Sequence, residues 1–292
     1  MSKNDNLYNA KKAKNDEFYT LIEDVEKEVS QYKDQFKDKV IYCNCDDYKW
    51  SNFYKYFKDH FKEYKLKRLI ASCLTGNYAS YDGNVETTGQ LQNGDFRGEE
   101  SIELLKTADI IVSNPAFSLF REYVAQLIKY NKKFLILGNM NAVTYKEIFP
   151  LIRDKKIWWG YNSPTDFKRP DGSIKKTVTR WYTNISTKKQ NEELILTKIY
   201  NPKDHPKYDN YDAIEVGKVA NIPKDYKGVM GVPISFLDNY CPKQFKILGQ
   251  MANTNITNFN FGYPFINNKK KYARILIKKI NENNTNENIS IN

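Results

Sequence analysis

The 292-residue chain is poor in the residues that build small metal or disulfide scaffolds. It has four cysteines, Cys43, Cys45, Cys73 and Cys241, and two histidines, His60 and His205. No pair of CxxC knuckles is present, which argues against a structural zinc and leaves no metal site to expect. Cys43 and Cys45 are one residue apart, and in a strand their side chains would share a face. The simplest reading is four buried free thiols in a reducing compartment. No apolar run approaches the roughly 20 residues of a membrane helix, and the first residues, MSKNDNLYNAKKAKND, lack the apolar stretch of a signal peptide. A soluble, cytoplasmic protein with no membrane partner is the expectation. Acidic residues are also the minority: 35 Asp and Glu face 46 Lys and Arg, a formal net charge of +11. Such a surplus suits a polyanionic partner, although a Lys-rich composition produces it too.

What is present is a chain able to build a core. Apolar residues make up 40% and aromatics 14%, with 22 Tyr and 16 Phe, which excludes a disordered chain. Residues 21–36 place Leu21, Val25, Val29, Tyr32 and Phe36 at helical spacing. A buried strand over 39–43 follows, then a turn over 44–49 and a helix capped by Ser51. Strands over 66–73, 109–113 and 133–138 alternate with helices over 99–105, 118–130 and 142–149. Residues 77–93 read as a polar hairpin or excursion. This alternation predicts an α/β fold with a mostly parallel sheet covered on both faces. After residue 157 the pattern turns β-rich, with strands over 179–184, 228–234, 246–249 and 273–277. The expected division is therefore 1–157 and 158–292, with part of the second segment returning to the first domain.

The strand over 109–112 runs into Ser113-Asn114-Pro115-Ala116-Phe117. Open α/β sheets bind ligands at strand ends. An Asn side-chain oxygen and the carbonyl of Pro115 can accept both hydrogens of an exocyclic amine. Proline removes a donor and stiffens the loop, and Phe117 can stack on a base taken out of a duplex. The competing reading is an ordinary β–α turn with a buried Phe. Taken alone, Asp46 and Asp47 after the first strand could serve helix capping near Ser51, and Asp95-Phe96 reads as a plain turn. Lys168, Arg169, Lys175, Lys176 and Arg180 could contact phosphates or base edges, or stand on a solvated loop.

The segment DIIVSNPAFSLFREY (109–123) resembles motif IV of amino-methyltransferases, and in detail the EcoRI-type adenine-specific DNA methyltransferase family. NDEFYT (15–20) looks like that family's N-terminal motif. VIYCNCDD (40–47), with WSNF (50–53) after it, looks like its first strand and cofactor loop. NGDFR (93–97) looks like its adenine-contacting motif. Residues 134–141, 179–184 and 231–238 also read as family-like, so the resemblance covers roughly residues 14–278.

It implies a Rossmann-like class I methyltransferase sheet with a β-rich target-recognition region, and S-adenosylmethionine as cofactor. Phe18, Tyr19, Thr20, Asn44, Cys45, Asp46, Asp47, Asp95, Phe96 and Asn114 would then contact the cofactor. Asn114, Pro115 and Phe117 would be catalytic. Lys168, Arg169, Lys175, Lys176 and Arg180 would bind double-stranded DNA. The implied reaction is N6-methylation of a flipped adenine, within restriction–modification. The resemblance is compatible with a monomer and with a cognate restriction endonuclease acting beside it.

Two departures stand out. The first strand lacks Gly-x-Gly, and Ala116 stands where the resembled family usually has a second proline. Ala116 leaves a second outcome, a cofactor- and DNA-binding protein with little turnover; a third keeps the fold and changes the substrate, as in a methyltransferase acting on RNA.

Overall fold

The computed structural model describes residues 19–169 and 172–280. They divide into two compact units: residues 1–148 with 157–185, and residues 149–156 with 186–292.

In the first unit the strands are β1 (Tyr19–Thr20), β2 (Val40–Cys43), β3 (Arg68–Ser72), β4 (Asn77–Tyr81), β5 (Glu86–Gln90), β6 (Ile110–Ser113), β7 (Lys133–Asn139), β8 (Trp158–Trp159), β9 (Asp166–Lys168), β10 (Ile174–Lys176) and β11 (Thr179–Thr183). Its helices are α1 (Ile22–Val29), α2 (Asn52–Asp59), α3 (Glu99–Thr107) and α4 (Phe120–Lys129). Eight strands form one sheet in the order β5-β4-β3-β2-β6-β7-β11-β8. The four central strands β3, β2, β6 and β7 are parallel, and the flanking strands pair antiparallel. The sheet is thus mixed. From β2 the chain steps to β3 on one side and then to β6 on the other, so the strand order reverses at β2. A reversal of this kind opens a crevice at the carboxyl ends of the strands.

Side-chain alternation explains why both faces are covered. Ile41, Cys43, Leu69, Ala71, Ile110, Val112, Leu135 and Leu137 share one buried cluster with Val25 and Val29 of α1 and Phe53 and Phe57 of α2. The alternate residues Tyr42, Ile70, Ile111, Phe134 and Ile136 are also buried. With a period of two they point to the opposite face. There Phe120 of α4 meets Tyr182 of β11 at 5.0 Å between ring centroids.

Several expected elements shift. The helix expected over 142–149 is a 3-10 turn, Met140–Thr144, whose entry is capped by the Asn139 side chain accepting from Asn141 N. The α-helix begins only at Phe149 and carries Pro150 in its first turn, where a missing N–H costs nothing. Strand β2 ends at Cys43 as expected, and Cys45 is half-buried in the turn that follows. The compact units divide after Ile185, so the first part of the β-rich segment belongs to the first unit. The reason is that β8 and β11, the first strands of the β-rich half, complete the edge of the large sheet.

A small three-stranded sheet, β1-β9-β10, also belongs to this unit. Its approach is anchored by Glu28 of α1, which is fully buried and accepts from Tyr161 N (2.8 Å), Asn162 N (2.7 Å) and Tyr32 Oη (2.9 Å). Burial raises the Glu28 pKa and these hydrogen bonds oppose the rise.

The second unit contains α5 (Phe149–Arg153) and strands β12 (Ile214–Glu215), β13 (Met230–Pro233), β14 (Phe245–Met251), β15 (Phe265–Ile266), β16 (Lys269–Lys270) and β17 (Arg274–Lys279). Four of these strands form a sheet in the order β12-β13-β17-β14, and β15 and β16 form a separate ribbon. Tyr208, Ala213, Met251, Ile266 and Leu276 pack together in its core. Within it Arg274 Nε donates to Glu215 Oε1 at 3.0 Å, and the Tyr208 hydroxyl donates to the same carboxylate. Among the described residues no helix is long and apolar enough to cross a membrane.

Candidate active site

A cavity of about 270 Å³ opens at the carboxyl ends of the parallel strands. After β2 it is lined by Asn44, Cys45, Asp46 and Asp47. After β3 come Cys73, Leu74 and Thr75, and after β6 come Asn114 and Ala116. Gly94, Asp95 and Phe96 line it ahead of α3, and Tyr19 and Thr20 come from β1. Trp50, Ser51, Asn52, Phe53 and Leu119 complete the wall.

The Asp46 carboxylate organises this crevice. Its Oδ2 accepts from Ser113 Oγ at 2.6 Å and its Oδ1 from Ser51 Oγ at 2.8 Å. The Asn114 backbone N–H also donates to it. Ser51 in turn caps α2, accepting from Phe53 N at 3.1 Å. One carboxylate therefore ties the loop after β2, the start of α2 and the Asn114 loop together. Complete burial pushes the Asp46 pKa up to about 6, against the lowering effect of the Ser113, Ser51 and Asn114 hydrogen bonds.

Asp47 is held by Lys49 N at 3.0 Å and by Asn77 Nδ2 at 2.6 Å. Asp95 is clamped by Arg97, whose Nε donates to Oδ1 at 2.9 Å and Nη2 to Oδ2 at 2.7 Å. Burial alone would raise the Asp95 pKa, yet the Arg97 hydrogen bonds and charge bring it below the ordinary value. The Arg97 guanidinium also lies 5.2 Å from the Phe96 ring centroid, and Tyr123 meets that ring edge-on. Asn44 is buried and accepts from the Tyr123 hydroxyl.

Among the described residues the lining thus carries three carboxylates and no cationic side chain. The Thr20 hydroxyl oxygen is buried without a hydrogen-bond partner among the described residues, on the same wall. Gly94 has to be glycine: a Cβ there would fall 2.0 Å from the Cys73 carbonyl oxygen.

Of the residues singled out in the sequence, Tyr19, Thr20, Asn44, Cys45, Asp46, Asp47, Asp95, Phe96 and Asn114 converge on this cavity. Phe18 lies outside the described residues. Pro115 is buried and Phe117 half-buried, and neither lines the cavity; their places are taken by Ala116 and Leu119. Lys168, Lys175 and Lys176 lie on the β9–β10 hairpin, with Arg169 just beyond β9. The hairpin pairs through β9 with β1, so that Tyr19 faces Lys168 across the ladder. Arg180 sits apart, in β11 of the large sheet, with its guanidinium 4.9 Å from the Trp159 ring centroid. Sequence reasoning passed over Cys73, Leu74 and Thr75. The signal was available: they follow a parallel strand neighbouring the reversal point. Trp50 was quoted only as part of a motif, yet its ring lies 4.2 Å from that of Tyr19 at the cavity wall.

Comparison with known sequences agrees with this geometry. The profile of the family described as adenine-specific methyltransferase EcoRI matches residues 6–86 and 76–288. The chain belongs to this family. It is 42% identical to the Type II methyltransferase M.EcoRI of Escherichia coli, over 93% of this chain and 95% of that protein. It is 39% identical to the Type II methyltransferase M.MgeORF184P of Mycoplasma genitalium and 37% identical to M.MpnI of Mycoplasma pneumoniae. Each of these two alignments covers 92% of this chain and 97% of the relative. No solved structure matches the chain.

Proposed function

We propose that this member of the EcoRI-type family transfers a methyl group from S-adenosylmethionine to the exocyclic amine of adenine in double-stranded DNA, as the modification partner of a restriction system. The observation that carries the reading is the presence of Asn114 in the same acid-lined cavity as the loops after β2 and β3.

The residues present fit the cofactor. Three carboxylates with no lining cation suit a ligand that bears a sulfonium and an ammonium. The buried Thr20 hydroxyl, without a partner among the described residues, supplies a further hydrogen-bonding group. Asp47 and Asn44 would hold the amino-acid end, and Asp95 and Phe96 the adenine. The bound cofactor supplies an electrophilic methyl group.

The protein's own residues do the rest. The adenine amine is a poor nucleophile because its lone pair is delocalised into the ring. The Asn114 side-chain oxygen and the Pro115 carbonyl accept from its two hydrogens and favour the tetrahedral nitrogen. Bound S-adenosylmethionine would supply the methyl group to that nitrogen, which would release one of its protons to solvent. Histidine is not needed, and catalysis is chiefly positioning in a dry crevice. Asp46 acts through Asn114 and not on substrate: its carboxylate is occupied by Ser51, Ser113 and the Asn114 N–H. It is a positioning residue for the loop that meets the base.

We read the first unit as a Rossmann-like class I cofactor domain. The β9–β10 hairpin and the second unit are read as the target-recognition part, with Lys168, Arg169, Lys175, Lys176 and Arg180 contacting DNA. Phe117 would stack on the flipped base after a small movement of its turn.

The test is transfer from labelled S-adenosylmethionine to unmethylated genomic DNA, followed by digestion to nucleosides. Label in N6-methyladenine supports the reading. Label in RNA only, or none from either the protein or its Ala116→Pro variant, overturns it.

A further inference from the structure

Most of the chain's positive charge lies in the second unit. It holds 19 Lys and Arg against 11 Asp and Glu, so it carries +8 of the total +11. Within it, three lysines and an aromatic follow one another: Lys269, Lys270, Lys271 and Tyr272. Lys269 and Lys270 form the exposed strand β16, and Tyr272 is 87% exposed. None of the three lysines has an acidic partner within ion-pair distance among the described residues. Lys270 instead lies over the Tyr263 ring, 3.3 Å from its centroid. The register pairs Lys269 with Ile266 and Lys270 with Phe265, so the two side chains leave opposite faces of the ribbon and each face carries a cation.

The backbone beneath them is held in place. The turn of the β15–β16 hairpin is Asn267-Asn268, both with positive φ (50° and 59°), as a two-residue hairpin turn of this hand requires. Asp209 neutralises the cost: its two carboxylate oxygens accept from Asn267 N at 3.1 Å and Asn268 N at 2.8 Å. Asn210 accepts from Phe265 N at 3.2 Å and donates to the Tyr263 carbonyl at 3.0 Å. Lys271 N donates to the Pro264 carbonyl at 2.8 Å. The ribbon is therefore fixed along both strands, yet only Ile266 reaches the core. A surface hairpin so firmly braced, with unpaired cations and an exposed ring on it, is built to meet a polyanion.

We infer that the β15–β16 hairpin is a second DNA contact, in which Lys269 and Lys270 neutralise backbone phosphates of the duplex and Tyr272 packs against the adjoining sugar–phosphate. This rests on the reading of duplex DNA as substrate, and it adds a phosphate clamp outside the residues assigned above. Contacts of this kind set register and affinity without reading sequence.

The experiment compares the full chain with a Lys269→Gln/Lys270→Gln double variant and with Tyr272→Ala. Binding to a short random-sequence duplex is followed by fluorescence anisotropy across a salt series. For the double variant the slope of log affinity against log salt should fall by about two, with affinity near 0.1 M salt down about tenfold or more. Tyr272→Ala should weaken binding with the slope unchanged. Melting temperature, calorimetric affinity for S-adenosylmethionine, and turnover at saturating DNA should stay at wild-type values. A double variant with the wild-type slope and affinity overturns the hairpin assignment. So does weakened binding that persists at high salt together with a lowered melting temperature. Wild-type protein that binds no duplex overturns the DNA reading itself, which separates the two failures.

Discussion

Ser113, the last residue of β6, donates its hydroxyl to the buried Asp46 carboxylate at 2.6 Å, joining the loop after β2 to the loop that carries Asn114. Replacing Asp46 with Ala leaves Ser51, Ser113 and the Asn114 N–H without their acceptor. Each buried group left unsatisfied costs about 1–3 kcal/mol. Asp46→Ala should therefore lower the melting temperature measurably. Ser113→Ala, which removes one donor, should cost about 1 kcal/mol and reduce kcat more than cofactor affinity.

The same carboxylate makes a pH prediction. Its folded pKa of about 6 lies above the ordinary 3.8. The folded protein thus binds this proton more readily than the unfolded chain. The contribution to stability is complete below pH ~4 and is lost as pH rises through about 6. Activity runs the other way, because the ionised form is what accepts three donors. A kcat limb falling below pH ~6, and absent in Asp46→Asn, is the expected profile. A flat profile in the wild type would remove Asp46 from the positioning role.

Ala116 has φ −54°, inside the range that proline imposes. Ala116→Pro should therefore fold without strain and gain about 0.4–1 kcal/mol through the unfolded state. It should raise turnover by stiffening the Asn114 loop, as read in steady-state kinetics. A destabilised variant would contradict the loop geometry.

Thr20 has a buried hydroxyl with no hydrogen-bond partner among the described residues. Thr20→Val should leave the ligand-free melting temperature unchanged or slightly higher. Calorimetry should show S-adenosylmethionine binding weakened about fivefold, the equivalent of roughly 1 kcal/mol for one hydrogen bond. Equal affinity in the two proteins would take Thr20 out of the cofactor site.

Glu28 accepts from Tyr161 N, Asn162 N and Tyr32 Oη in the interior. Glu28→Ala should destabilise by several kcal/mol, on the order of one unsatisfied-group penalty per donor released. Thermal unfolding is the readout. Retained stability would mean that water replaces the carboxylate.

Much of the site could be read along the chain. Strand, turn and helix follow from alternation and periodicity that neighbouring residues alone impose. Asn114 was legible from its place directly after a strand, whereas Asn44 to Asp47, Asp95 and Phe96 were marked only by the likeness of their segments to the EcoRI-type family. The sequence by itself determined the alternating α/β plan, the polar loops at strand ends and the basic surplus, since these depend on composition and short-range order.

Tertiary structure decided which loops meet and what each side chain is free to do. The reversal of strand order at β2 brings positions tens of residues apart to one crevice. Only packing showed that the Asp46 oxygens are already spent on Ser51 and Ser113 while the Thr20 hydroxyl is not. Pairing likewise drew β8 and β11 into the first sheet, against the change in composition at residue 157. Hydrogen-bond partners in a sheet are chosen by edges and register across the fold, and no local run of residues encodes that choice.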